Sequence, residues 1–312
     1  MNAPRVEEVD AQTAPDDQLL AIHRIEEASG ESRSFDEALG FMRHPPSDER
    51  RLHWLAYDGD EPVGMARLNV LEGSSFAWLY LHVLPQRRRR GAGRALLRAA
   101  LLAAVGRALA GHHSSEDGAA FAKAVGARDE QRAVRSELVL RGAACVAVSV
   151  PHGYVLRSWV DRAPDELVES FAEARNALAD APLLEGQHEP AWTVARVRDL
   201  EAAVARRGRQ TRVTAAIAGN EVVAFTELRV SAPPARIAST EDTVTLRAHR
   251  GRGLAQAVKA ESLRLLRANR PDVEAVATLN AESNGPMRAV NAKLGFVPVA
   301  TLTTAVLPPA GG

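Results

Sequence analysis

Arg88-x-x-Gly91-x-Gly93 is answered 162 positions later by Arg250-x-x-Gly253-x-Ala255, in a chain of 312 residues. Each segment follows a run that reads as a strand, FAWLYLHVLP at 76–85 and DTVTL at 242–246, and each opens a helical pattern. After the first, Leu97, Leu101, Ala104 and Ala108 recur at three- and four-residue spacing; after the second, Ala255, Val258, Ser262 and Leu265 do so more weakly. A chain that turns from strand to helix on glycines has little choice of backbone there, because only a residue without Cβ enters such turns freely. Whatever this chain folds into, it does so twice.

The rest of each half repeats the same order. HWLAYDGDEPVGMARLNV (53–70) is a hairpin turning at Asp58-Gly59-Asp60, and VTAAIAGNEVVAFTELRV (213–230) is one turning at Gly219-Asn220. Both halves close with a short helix ending on glycine, AAFAKAVGA (119–127) and MRAVNAKLGF (287–296), which suits a left-handed cap. This order predicts an α+β chain of two tandem domains, each a mixed, mostly antiparallel sheet flanked by helices. The boundary falls between Arg141 and Gly153, giving domains of 1–145 and 146–312.

A loop that ends on a helix start presents backbone N–H groups without intrahelical partners, and the helix dipole adds partial positive charge. Such a loop binds anions. Gly91 and Gly93 let the main chain approach a phosphate, and Arg87 to Arg90 add charge at the rim. No Gly-Lys-Ser/Thr is present to hold a triphosphate and magnesium, and Gly93 is followed by Arg94-Ala95-Leu96 rather than the spacing of the dinucleotide fingerprint. A diphosphate on the loop, with the rest of the ligand along the preceding strand, fits.

Composition narrows the partners. With 39 basic and 39 acidic side chains the net charge is zero, which argues against a general polyanion binder. Trp54, Trp78, Trp159 and Trp192 are scattered, so they read as core rather than as a base-stacking platform. Nucleic acid is therefore not expected. Cys145 is the sole cysteine, in apolar GAACVAVSV, and reads as a structural thiol. His112-His113 lacks a partner cluster and reads as non-metal. The acidic start MNAPRVEEVDAQTAPDD has no apolar core of a signal peptide, and ALLRAALLAAVGRALA is too short and too charged to span a bilayer. A cytoplasmic protein without a membrane partner is the expectation.

VLPQRRRRGAGRALL resembles the cofactor loop of the GNAT (Gcn5-related) N-acetyltransferases, V-x-P-x-x-R-x-x-G-x-G, at Val83, Pro85, Arg88, Gly91 and Gly93. TLRAHRGRGLAQAVK is similar, with Thr245 and Arg247 for the usual Val and Pro and Ala255 for the last Gly. ATLNAESNGPMRAVNAKLGFVPV (277–299) resembles the family's fifth strand and following helix. ADAPL, with HRGRGLA and TLNAESN, resembles a group of two-domain members that includes mycothiol-synthase-like proteins. The resemblance covers nearly the whole chain.

It implies an acyl-CoA-dependent N-acyltransferase, with acetyl-CoA or another acyl-CoA as co-substrate and no metal. A primary amine, on a small molecule or a peptide, attacks the thioester directly. The implied cofactor set is Val83, Arg88, Arg89, Arg90, Gly91, Ala92, Gly93 and Arg94 in the first half. In the second it is Thr245, Arg250, Gly251, Arg252, Gly253, Leu254 and Ala255, with Asn284 and Asn291. Family members often carry a tyrosine four residues before the closing glycine as proton donor; here those positions hold Ala122 and Asn291. Asn291 can stabilise a thiolate by hydrogen bonding but cannot act as an acid. Glu241, four residues before Thr245 and on the same face by strand alternation, is the candidate base. The polar Glu241 and Asn280, Asn284 and Asn291 favour the C-terminal half as catalytic, in a monomer or homodimer. The alternative is a CoA-binding regulatory module without turnover.

Overall fold

The computed structural model describes residues 4–30, 33–141, 147, 149–233 and 235–309. Cys145, and the expected boundary between 145 and 146, lie outside the described residues. The chain forms two compact units. The first comprises Met1–Glu130, Leu184–Pro190 and Thr303–Gly312; the second comprises Gln131–Leu183 and Ala191–Leu302. This differs from a single cut at 145/146.

In chain order the first half contains β1 (Arg5–Val9), α1 (Asp16–Glu27), α2 (Phe35–Arg43), β2 (Glu49–Asp58), β3 (Glu61–Leu71), β4 (Phe76–Val83), α3 (Ala92–Ala103), β5 (Ala108–His113), α4 (Glu116–Ala124) and β6 (Arg128–Val139). The second half runs β7 (Val155–Val160), α5 (Val168–Asn176), α6 (Val194–Arg206), β8 (Arg209–Ala218), β9 (Glu221–Ser231), β10 (Ile237–Thr245), α7 (Leu254–Asn269), β11 (Ala275–Ala281), α8 (Gly285–Lys293) and β12 (Val297–Leu307). The run at 242–246 is only the end of β10, whose start alternates too weakly to read. The closing helices begin two or three residues before the expected 119 and 287.

Strand order is β1-β2-β3-β4-β5 in the first unit and β7-β8-β9-β10-β11 in the second. Pairing is antiparallel except β4–β5 and β10–β11. Each series is completed by a strand from the other half of the sequence. Thr303–Leu307 of β12 pairs with β5, and Ala133–Val139 of β6 pairs with β11, both antiparallel. The chain has exchanged its last strands, which explains why no single cut separates the units. Leu184–Pro190 also joins the first unit: Leu184 packs with Phe76, Ala108 and Val306, and the Ser75 hydroxyl donates to the Gly186 carbonyl at 2.8 Å.

The two copies share fine detail. Both hairpins slip by one residue at equivalent places, between Ala56 and Tyr57 and between Ala216 and Ile217. Gly59 and Gly219, at φ 63° and 60°, occupy the left-handed conformation the tight turn needs. Leu96, Leu97 and Ala100 of α3 pack on Trp54, Ala56 and Leu68, and α7 lies over β8 and β9 in the same way. A buried ion pair joins the helix after the first strand to the third strand, yet its polarity is inverted. Glu26 on α1 pairs with Arg67 on β3, whereas Arg175 on α5 pairs with Glu227 on β9.

Among the described residues no helix is long and apolar enough to cross a membrane.

Candidate acyl-transfer site

Both glycine loops have one backbone course. A short 3-10 turn, Pro85–Arg87 or Arg247–His249, leads to an extended arginine, Arg88 or Arg250. Its Nε donates back to the carbonyl of Val83 (3.1 Å) or Thr245 (3.0 Å). Arg89 at φ 62° and Gly251 at φ 77° are equivalent, so the first copy forces an arginine into a conformation the second gives to glycine. Gly91 and Gly253 follow as left-handed N-caps at φ 95° and 78°, without side-chain caps. The first intrahelical bonds go from Ala95 to Gly91 and from Ala257 to Gly253. The amides of Ala92, Gly93 and Arg94, and of Leu254, Ala255 and Gln256, therefore have no intrahelical acceptor.

The arginine run is neutralised locally. Arg87 pairs with Asp58 and Glu61, Arg90 lies 3.6 Å from Asp58, and Arg88 and Arg89 share Asp117 at 2.6 and 3.7 Å. Arg94 donates to the Ala124 carbonyl at 3.1 Å. In the second loop Arg250 pairs with Asp180 at 2.5 Å, and Arg252 donates to the Tyr154 hydroxyl at 2.7 Å. That hydroxyl also meets His249 Nδ1 at 2.9 Å, so Tyr154 holds two loop side chains; nothing in the sequence pattern singled it out.

Beyond the loops the copies diverge. The parallel pair β4–β5 is laddered only at Phe76–Trp78 with Ala108–Ala110, and β10–β11 only at Ile237–Ser239 with Ala275–Ala277. In the first unit β4 has unbroken register with β3. A Cβ on Gly111 would come within 2.9 Å of the Leu79 carbonyl, so the strands stay close past the ladder. The adjoining cavity of about 130 Å³ is lined by apolar side chains including Leu79, Leu81, Leu109 and Phe121, with His112 and His113 at its edge. His112 bonds Thr304 and His113 bonds Asp129.

In the second unit β10 carries a bulge between Thr240 and Thr243. A bulge adds a residue, bends the strand and breaks its alternation. Thr240 and Thr243 stand opposite Leu228 and Thr226, so they share a face, and Thr245 shares it too. Glu241 and Asp242 turn to the opposite face, with Glu227 and Arg229. This corrects the expectation that Glu241 shares Thr245's face: period-two counting holds only without the extra residue. Glu241 accepts from the Ser239 hydroxyl at 2.6 Å and lies 3.8 Å from Arg229.

Asp242 makes the stronger constellation. Arg175 donates to Glu227 at 2.6 Å and to Asp242 at 2.8 Å, and stacks on Trp192 at 3.9 Å. Trp192 is pinned to α5 through Asn176. Burial would raise Glu227, but Arg175 and then Arg229 hold it below the usual carboxylate range. Asp242 is pushed up to about 6, chiefly by burial, with Glu227 and Glu241 adding to the rise against Arg175 and Arg229. A carboxylate with that value is ionised at neutral pH yet takes up a proton readily. Alternation counted along β10 does not single Asp242 out, because the bulge changes which residues face together. The missed signal is a change in spacing: the hairpins are 160 residues apart, the loops 162.

Across the sheet the fit to an acyl-CoA rests on unpaired groups. Thr240 Oγ1, Thr245 Oγ1 and Asn291 Oδ1 are buried and lack hydrogen-bond partners, a condition that favours a polar ligand at those atoms. Asn291 is 3% exposed and donates to Asn280 Oδ1 at 2.7 Å. Around Gly251 and Gly253 a Cβ would meet nothing within 4 Å, so the cradle is open. Asn284, by contrast, is spent as the cap of α8, accepting from the Met287 amide at 3.2 Å.

Comparison with known proteins agrees with this geometry. Residues 18–126 and 173–296 match the model of the acetyltransferase (GNAT) family. A tandem GNAT protein from the clavulanic acid biosynthesis pathway, solved without AcCoA, superposes with a TM-score of 0.81 at 27% identity, over 99% of this chain and 100% of that one. A GCN5-related N-acetyltransferase from Sphaerobacter thermophilus gives 0.69 at 17% identity, over 99% and 96%. A putative acetyltransferase from Pyrococcus horikoshii gives 0.60 at 18%, over 99% and 90%. These last two share the fold. None of the curated proteins matches the chain. With its two matched regions, its paired glycine loops and its duplicated sheet, the chain belongs to the GNAT acetyltransferase family.

Proposed function

We propose that the protein transfers an acetyl group from acetyl-CoA to a primary amine, and that the second unit is the one that turns over. The observation that carries this reading is the β10 bulge, which the first unit lacks. It turns Glu241 and Asp242 away from the face of Thr240, Thr243 and Thr245, so the site is divided between two faces of one sheet. On one face the amides of Leu254, Ala255 and Gln256 would hold the pyrophosphate, and Thr245, Thr240 and Asn291 would bond the pantetheine. On the other, Asp242 and Glu227 meet the acceptor.

Bound acetyl-CoA supplies the thioester carbonyl that the amine attacks. An alkylammonium of pKa about 10.4 is mostly protonated at neutral pH, so a base has to take a proton before or during attack. Asp242 is the base in this reading, and Arg175 holds its carboxylate in place. As the C–N bond forms and the C–S bond breaks, the Asn291 amide stabilises the departing thiolate. The acceptor is a small molecule or a peptide, and the protein acts in the cytoplasm as a monomer or homodimer, without metal, membrane or nucleic acid.

A second reading, a CoA-binding regulatory module, is favoured by Ala122 and Asn291 where the family often has tyrosine. Titration with acetyl-CoA, followed by free-thiol release over a panel of primary amines, separates the two. Amine-dependent thiol release supports transfer. Tight binding with no release over the panel supports the module.

A further inference from the structure

A groove of about 380 Å³ runs along the second unit between α7 and the β7–β8 edge. Ser158, Gln210, Arg212, Thr214, Ser262 and Asn269 line it. The first unit has no room for such a groove. β2 and β8 correspond at a spacing of 160 residues, fixed by the shared slip in their hairpins, and α3 and α7 at 162, fixed by their glycine caps. Arg212 therefore takes the place of Leu52, Thr214 that of Trp54, and Ser262 that of Ala100. In the first unit Trp54, 4% exposed, packs with Leu52 on Ala100 and closes this space. The second copy has lost an indole and gained three polar groups facing one another.

Those groups are underused. Ser158 and Thr214 share one hydroxyl–hydroxyl bond at 3.0 Å. Arg212 is half-buried and, among the described residues, has no carboxylate at ion-pair distance; its one hydrogen bond is to Gln210 Oε1 at 3.4 Å. Gln210 Oε1 is shared with Arg270, also at 3.4 Å, while Arg270 is otherwise paired with Asp272. Asp161, the acid whose charge acts on Arg212, accepts the Thr211 amide at 3.0 Å. Burial and the Arg270 charge both depress the Arg212 pKa. A half-buried guanidinium with no carboxylate in contact, beside hydroxyls, has room for an anion of its own.

We propose that this groove binds a small hydroxylated anion, a phosphate monoester or a carboxylate, with Arg212 as its charge partner and Ser158, Thr214 and Ser262 as its hydroxyl partners. The site stands apart from acyl transfer. Ser262 and Asn269 lie nine and sixteen residues along α7 from Gly253, about 14 and 24 Å at the helical rise.

The test is calorimetric titration of the full chain with glucose 6-phosphate, gluconate and glucose. Saturable binding of one or both anions, with none of glucose, is expected. Arg212→Gln should weaken it at least about tenfold, the scale of a lost charge-assisted bond. Thr214→Trp, which restores the residue of the first copy, should abolish it while acetyl-CoA binding stays as in the parent. Should Thr214→Trp not fold, Arg212→Gln decides alone. Gly253→Val controls for phosphate on the cofactor loop. Binding that Gly253→Val removes and Arg212→Gln spares would overturn the proposal, as would equal binding of glucose or no saturable binding of either anion. Failure of acetyl-CoA to bind at all would count against the acyl-transfer reading and leave this one standing.

Discussion

The edge of the Phe121 ring stands 3.1 Å from the point a Cβ on Gly93 would occupy. The contact presses α4 onto the first turn of α3, in the loop whose amides face an anion. In the second copy the equivalent positions hold Val290 and Ala255, a smaller side chain opposite a larger one. The missing last glycine of the second loop is thus matched by a shorter partner. Gly93→Ala should destabilise the first unit by about 1–3 kcal/mol through overpacking, and Phe121→Val in the same chain should recover most of it. Phe121→Val alone should strengthen acetyl-CoA binding by the first unit, read by titration in a Gly253→Val background. No gain there would mean that the ring does not obstruct the loop.

Gly253→Val should cut acetyl-CoA affinity at the second unit by about tenfold or more. A β-branched residue at φ 78° carries strain of about 1–3 kcal/mol, which the loop relieves by leaving the conformation that aims its amides. Unchanged affinity in a folded variant would remove the loop from cofactor binding.

Asp242→Asn should lower the rate by about 10²-fold or more at neutral pH, the usual scale for losing a general base. The deficit should open as pH rises through about 6, where Asp242 ionises, and narrow again towards the amine's own pKa. Glu241→Gln should cost much less. The reverse ranking would return the role to Glu241. Linkage gives a second readout. Folding raises the Asp242 pKa, so its stabilising contribution is present below the ordinary carboxylate value and lost as pH rises through about 6. Relative to the parent, the Asp242→Asn melting temperature should therefore climb across that window.

Glu26→Gln leaves Arg67 buried without its counter-ion, at a cost of about 3–5 kcal/mol. The double variant Glu26→Met, Arg67→Met should recover much of that. Denaturant midpoints of the three chains decide it; a double variant as weak as the single would show that packing around Phe41 and Tyr80 matters more than charge.

How far the sequence carries depends on range. The loops, hairpins and capped helices are local, and glycine placement with apolar spacing made them legible. The start of β10 was not, because IASTE offers no clean alternation ahead of a bulge. The bulge itself defeats face assignment by counting, which is why alternation puts Glu241 on Thr245's face and the structure does not. Arg175 could not be read at all: it meets Asp242 across 67 positions, and nothing in the helix VESFAEARN marks its arginine as buried. Tyr154 and His249 are likewise joined only by folding.

The exchanged strands bear on how such a protein can change over generations. Severed between its halves, the gene would give one product with β5 stripped of Thr303–Leu307 and another with β11 stripped of Ala133–Val139. Each would expose a row of unpaired backbone groups, an invitation to aggregate. Neither duplicate can be discarded or set free as an independent enzyme. A half that has lost its chemistry is still retained, because its sibling's last strand comes from it, and that retention leaves it open to take on other work.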